Sequence, residues 1–146
     1  MIHILPELQV KSLMDDSAEP LEEGCAHKIE DHTGVVLDVA LSDDFDDCFY
    51  MASVGNDYAL NVYRIDQKYH SLFSIESAHH CVIPCVTFGH ASSNSMIFTG
   101  GWDHVIKVWN LDGELVKELQ GHLERITDLC VSKDGKYVRE ERGCRS

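Results

Sequence analysis

A histidine recurs along this chain, and the residues around it recur with it. His32, His79 and His122 are 47 and 43 residues apart. An apolar residue stands four, seven and nine positions after each: Val36, Val39 and Leu41; Ile83, Val86 and Phe88; Ile126, Leu129 and Val131. Asp57 follows His32 by 25 residues, and Asp103 follows His79 by 24. Four residues before each aspartate is a hydroxyl, Ser53 or Thr99, and six after it a large aromatic, Tyr63 or Trp109. Four residue types in register across two copies mark a structural unit of about 45 residues, which limits the chain to a repeat architecture.

The segments between these markers read as short strands. VVLDVAL, FYMASV, ALNVYRI and HSLFSIE are rich in β-branched and aromatic residues and bounded by turn formers. CVIPCVTF, SMIFTG, VIKVWNL and ELVKELQG follow in the same order, and Gly113 and Gly121 confine the last of these to strand length. Four strands per repeat is the pattern of a blade, and blades build propellers. The predicted fold is all-β, an incomplete β-propeller of four-stranded antiparallel blades.

On these residues the chain resembles the WD-repeat β-propeller family over residues 26–138. The clearest copy is GGWDHVIKVWNLDGELVKELQGH, in which VWN stands where the family has Trp-Asp and Gly121-His122 is its Gly-His pair. Tyr63 replaces the tryptophan in the first copy, and Asp31-His32 and Ala78-His79 replace Gly-His. The blades are flanked by residues 1–25, read as a strand and an acidic linker, and by residues 139–146, read as a polar tail outside the propeller. The resemblance implies two near-complete blades and part of a third, against about seven in a typical family ring.

The resemblance also implies a structural role for the recurring polar residues. His79, Thr99, Asp103 and Trp109 match the family's hydrogen-bond network within a blade. His32, Ser53, Asp57 and Tyr63 match it with a phenol donating in place of the indole, and His122 opens the third copy. Ser, His and Asp are also the members of a hydrolase triad. Catalytic groups do not repeat once per structural unit, however, and neither hydroxyl sits on a strand–turn–helix elbow. No enzyme is expected.

The stretch HHCVIPC together with His90 puts five potential metal ligands into twelve residues. The Cys81–Cys85 spacing suits zinc, but both cysteines fall in a segment read as an apolar strand, where a free thiol acts as a small hydrophobe. Pro84 between them marks an edge or a bulge. No metal and no cofactor are expected. Asp43, Asp44, Asp46 and Asp47 lack the glycine and distal glutamate of a calcium loop and read as a solvated hairpin loop.

Family propellers bind proteins and peptides through loops on one face of the disc. Trp102, one residue before the turn aspartate, falls in such a loop, with Asn56 as its first-copy counterpart. His80 and Glu124 follow the blade-opening histidines on the same side. These four are the predicted partner-binding residues. Some relatives dock ubiquitin-ligase adaptors through Trp-Asp-x-Arg; Trp109-Asn110-Leu111-Asp112 lacks the aspartate and arginine at their places.

A net charge of −13 repels a phosphate backbone, and no apolar run approaches the ~18 residues of a membrane span. Neither a nucleic-acid nor a membrane partner is expected. Six cysteines without a secretion signal read as reduced thiols, which places the chain inside the cell, in the cytoplasm rather than the nucleus. The expected function is a protein-interaction scaffold, with a chain that completes the propeller, or self-association, as a further kind of partner. The competing expectation is a truncated product without independent function. After Val138 the repeat pattern gives way to REERGCRS, which predicts a splice or frame change near residue 138.

Overall fold

The computed structural model describes residues 2–4, 27–43, 48–66, 69–89, 96–134 and 137–141. These residues form twelve strands and no helix: β1 (Ile2–Ile4), β2 (His27–Ile29), β3 (Val36–Leu41), β4 (Phe49–Gly55), β5 (Leu60–Ile65), β6 (Tyr69–Ile75), β7 (Cys85–Phe88), β8 (Ile97–Gly100), β9 (Ile106–Trp109), β10 (Leu115–Leu119), β11 (Asp128–Val131) and β12 (Val138–Glu141). Two complete antiparallel sheets run in the order β3-β4-β5-β6 and β7-β8-β9-β10. Two half-sheets, β1-β2 and β11-β12, flank them. The molecule is a partial β-propeller, with its blades in chain order.

Alternation explains the stacking. In an antiparallel sheet, directly opposed residues share a face. Ala40 pairs with Ala52 and Ala52 with Val62, and this face of the first blade meets Ile83, Val86, Phe88, Ile97 and Trp109 of the second in one buried cluster. The opposite face of the second blade, through Phe98, Ile106 and Val108, packs on Ile126, Leu129 and Val131. Ile2 and Ile29 cover Met51 and Tyr63 on the far side of the first blade. The first strands of successive units are neighbours, β3 beside β7 and β7 beside β11, as expected of strands lining a common axis.

Polar bonds also cross the seams. The N–H of Ile83 donates to Gly55 O at 3.2 Å, and that of Ile126 to Gly101 O at 3.3 Å, the same bond one repeat later. At the first seam only, Asp38 adds a carboxylate clasp, accepting from the N–H of Val86 across the blades at 3.0 Å while its other oxygen accepts from Val39.

Two details differ from the residue pattern. CVIP forms no strand; Cys81 lies in the loop, and β7 starts after Pro84, which cannot donate to a ladder. The boundary placed at residue 138 falls inside β12. Arg139, Glu140 and Glu141 pair with Cys130, Leu129 and Asp128, because an exposed strand takes its order from backbone pairing and needs no apolar alternation. Asp44, Asp46 and Asp47 of the acidic cluster, the linker up to residue 26 and the tail from residue 142 lie outside the described residues.

Leu60 is fully buried between the two complete blades. Leu60→Ala should destabilise the chain by about 3 kcal/mol through lost burial and a residual cavity, read as a lower urea midpoint with an unchanged slope.

Candidate functional site

The turns that join β4 to β5 and β8 to β9 put an aspartate at the same edge of each blade as the loop arriving from the previous one. In the second blade, His79 Nδ1 lies 3.0 Å from each oxygen of Asp103. Its Nε2 lies 2.8 Å from Thr99 Oγ1. Trp109 Nε1 donates to the same hydroxyl at 2.9 Å. The proton order follows from the chemistry of the groups. An indole only donates and a carboxylate only accepts. Thr99 therefore accepts from Trp109 and donates to His79 Nε2, and His79 donates from Nδ1 to Asp103. This closes every bond with a neutral ring.

Asp103 also accepts from the N–H groups of His80 and Val105, so one carboxylate pins both loops. The first blade repeats the arrangement. His32 Nδ1 is 2.9 and 3.1 Å from the Asp57 oxygens and Nε2 is 2.8 Å from Ser53 Oγ, while Asp57 accepts from Thr33 and Ala59 N–H. His122 is half-buried before β11; the positions for its hydroxyl and carboxylate lie beyond residue 141, outside the described residues.

Tyr63 does not complete the first network. Its Oη is buried without a hydrogen-bond partner among the described residues. An indole carries its N–H on the flank of the ring, whereas a phenol carries its O–H at the tip, so the tyrosine hydroxyl passes Ser53. Burial pushes the phenol pKa up and the Ser53 hydroxyl softens that rise, but the two oxygens do not meet at bonding geometry. The ring instead packs 5.1 Å from Tyr69, tilted by 42°.

Two features of the turn went unread in the sequence. Gly55 and Gly101 stand two residues before the aspartates. A Cβ on Gly101 would collide with the Asp103 carboxylate and the His79 ring, and one on Gly55 with Val35 O. The signal was present in the paired strings SVGND and TGGWD. Tyr58 and His104, one residue after each aspartate, are left-handed at φ 67° and 69°. Histidine is among the non-glycine residues enriched in that conformation, but a bulky tyrosine is not.

The geometry of Asp, His and hydroxyl is that of a proton relay, yet Ser53 and Thr99 are both fully buried and present no nucleophile to solvent. The metal-ligand stretch is dispersed as well. His79 is committed at both nitrogens, Cys85 is buried against Gly100 O with its thiol pushed up to about 12 by burial, and His90 lies outside the described residues. No three candidate ligands converge among the described residues. Cys48, Cys81, Cys85 and Cys130 carry reduced thiols, outside any disulfide among the described residues.

The four predicted contact residues lie on this loop edge. Trp102 is 38% exposed, with the Arg125 guanidinium 4.7 Å from its ring centroid, so the β8–β9 turn meets the loop before β11 in a cation–π pair. His80 and Glu124 are exposed, His80 in the loop whose N–H Asp103 holds and Glu124 next to Arg125. Asn56 is exposed but engaged, its Oδ1 accepting from Val35 N–H at 2.7 Å. Asn110, at the place of the family's second motif residue, caps the β9–β10 turn by accepting from Asp112 and Glu114 N–H.

A family model described as "WD domain, G-beta repeat" matches residues 70–110 and 113–138. The chain is 42% identical over 61 residues to a bromodomain and WD repeat-containing protein of Dictyostelium discoideum, covering 41% of this chain and 3% of that protein. It is 26% identical over 116 residues to the nuclear distribution protein PAC1 of Arthroderma otae, covering 75% and 25%. It is 38% identical over 61 residues to the small ribosomal subunit protein RACK1 of Drosophila melanogaster, covering 41% and 19%. The matched region thus spans a quarter or less of each of these relatives. Among solved structures, a chain from the crystal structure of the Chaetomium thermophilum polycomb repressive complex 2 superposes with a TM-score of 0.62 at 15% identity, over 71% of this chain and 24% of that one.

Asp103→Ala removes one charged acceptor from three donors. It should cost about 3 kcal/mol, on the order of 10 °C in melting temperature; an unchanged melt would count against the network. Acid should weaken the fold in two stages. Burial holds the His79 pKa below its usual value, against the pull of Asp103. Asp57 and Asp103 also lie below the usual carboxylate value: burial alone would raise them, but their hydrogen bonds from histidine and backbone N–H outweigh it. In all three the unfolded chain binds protons more readily, so stability falls with pH, first below the ordinary histidine pKa near ~6.5 and then below the ordinary aspartate pKa near ~3.9. Melts from pH 8 to 5 should show the first stage in the wild type, and a smaller slope in His79→Gln.

Proposed function

We propose that this chain, whose residues 70–138 are WD repeats, is a protein-interaction scaffold whose blades work within a larger propeller. WD-repeat proteins generally serve as scaffolds for other proteins. The observation that carries the reading here is Trp102: a half-exposed indole, fixed by Arg125, on the edge where the clamped loops meet. Rigid amphipathic aromatics at such positions are preferred anchors for a partner. His80 and Glu124 flank it, and the Asp103 network keeps the loops in one arrangement before a partner arrives, which lowers the entropy lost on binding.

The proposed role is not enzymatic, since the hydroxyls that resemble nucleophiles serve as buried internal donors. It is also intracellular, where exposed Cys130 stays reduced. The reading of a larger propeller is supported by the apolar residues left in water on β3, among them Leu37, Val39 and Leu41. The same observation favours the alternative of a truncated product without independent function, because a sheet face left bare invites aggregation and disposal. Amide exchange distinguishes the two. Protection throughout β4, β5, β8 and β9 is expected of a scaffold, and uniform rapid exchange would support the alternative.

Trp102→Ala should lose partners captured by the wild-type chain while retaining its melting temperature. If every captured protein stayed at the wild-type level, Trp102 would not be the anchor.

A further inference from the structure

The repeat supplies its own control for polar groups inside a blade. In the second blade Lys107 stands opposite Thr99. Its Nζ reaches Glu118 Oε1 at 3.3 Å and lies over the Trp109 ring, while the indole N–H serves Thr99 directly. The equivalent positions of the first blade are Asn61 and Tyr63, four and six residues after the turn aspartate. Asn61 stands opposite Ser53, and Tyr63 is diagonal to it, so the three side chains share one face. Asn61 is 1% exposed, and Ser53 and Tyr63 are 0%.

Among the described residues, the buried side-chain atoms without a hydrogen-bond partner are Asn61 Nδ2 and Tyr63 Oη. Asn61 accepts from Ser74 Oγ at its Oδ1. Turning the amide over would pair Nδ2 with Ser74 and orphan Oδ1 instead, so one amide atom is left over in either orientation. Burial, with the Asp31 charge adding to it, holds the Tyr63 pKa above its usual value, so the phenol keeps its proton. Unpaired buried polar groups are costly and rare. Two of them, two residues apart on one face of β5, point to one shared ligand.

We propose that a single water molecule binds inside the first blade, between Asn61 Nδ2, Tyr63 Oη and Ser53 Oγ, and does there what the indole N–H does in the second. Water has the chemistry that these groups require, since it meets an amide donor and a hydroxyl acceptor at once. It also has the size: an indole exceeds a phenol by about the volume of one water in the liquid, ~30 Å³. The proton order follows that of the second blade. Ser53 donates to His32 Nε2, 2.8 Å away, and keeps its lone pairs to accept. The water accepts from Asn61, donates to Ser53 and makes its third bond with Tyr63, about the three bonds usual for an interior water. Both blades then hold their incoming loop through a hydroxyl that accepts one bond and donates one, the first through water and the second through a ring N–H. The site is independent of Trp102 and of how many blades the propeller has.

Tyr63→Phe removes the hydroxyl alone, and the sign of its effect is the test. With the water in place a bond is lost, and the folding equilibrium constant should fall about fivefold, read as a lower urea midpoint at an unchanged slope. If Tyr63 Oη were a dry orphan, the same change would delete an unsatisfied group, and a midpoint that stayed or rose would overturn the proposal. Asn61→Leu probes the opposite side of the water. Combined with Tyr63→Phe it should cost less than the two single changes together, because the water is lost once; strict additivity would count against a shared ligand. The wild-type chain gives the direct reading. A high-resolution crystal structure should place one water oxygen about 2.7–3.2 Å from Asn61 Nδ2, Tyr63 Oη and Ser53 Oγ. Tyr63 Oη bonded straight to Asp31 or Ser53, with no water between them, would overturn it.

Discussion

A buried imidazole held between a carboxylate and a hydroxyl is the interaction on which the rest of this structure hangs. His79 has no exposed side-chain surface and sits in a loop, yet it joins three parts of its blade: the loop itself, the β8 strand through Thr99, and the β8–β9 turn through Asp103. Burying these groups unpaired would be costly, so the loop has one low-energy arrangement. The turn so fixed then presents Gly101 O to Ile126 of the following unit. Order passes from a side-chain network within a blade to the backbone contact between blades.

That chain of dependence explains why polar residues, and not only apolar ones, recur in this repeat. The apolar positions make each blade two-faced and stack it, but flat apolar faces alone leave the rotation between blades weakly specified. The clamped turn supplies a fixed donor–acceptor pair at each seam. It also sets the loop edge, where Trp102 and Arg125 meet as a by-product of two turns held in place. The exposed groups of this edge and the groups that stabilise the blade are therefore not separable by residue class; they are separable by whether a side chain points into the network or out of it.

Much of this was legible from spacing alone, because the repeat lets one copy check another. The four-residue register of His, hydroxyl, Asp and aromatic identified the groups that the fold brings together in the second blade. It misjudged Tyr63, since a sequence shows that a phenol donates but not where on the ring its hydrogen sits. The glycines at 55 and 101 were visible as a pair but their purpose was not, because it depends on how near the carboxylate passes. The left-handed Tyr58 had no signature in its residue type: the turn imposes that backbone, whereas His104 is of a type enriched there. β12 was cut short for a related reason, since a strand at the edge of the array follows its neighbour's hydrogen bonds and not a pattern of its own.

The position six residues after the blade-opening histidine reads Asp38, Cys85, Asp128. Where the aspartate of the first unit reaches across to Val86, the cysteine of the second turns back to Gly100 in its own sheet. The stack therefore has a grain. Pulled along its length or warmed, it would part first between the second and third units, where that sideways carboxylate bond is missing, and the fracture would uncover a thiol that the intact molecule keeps out of reach of oxidants.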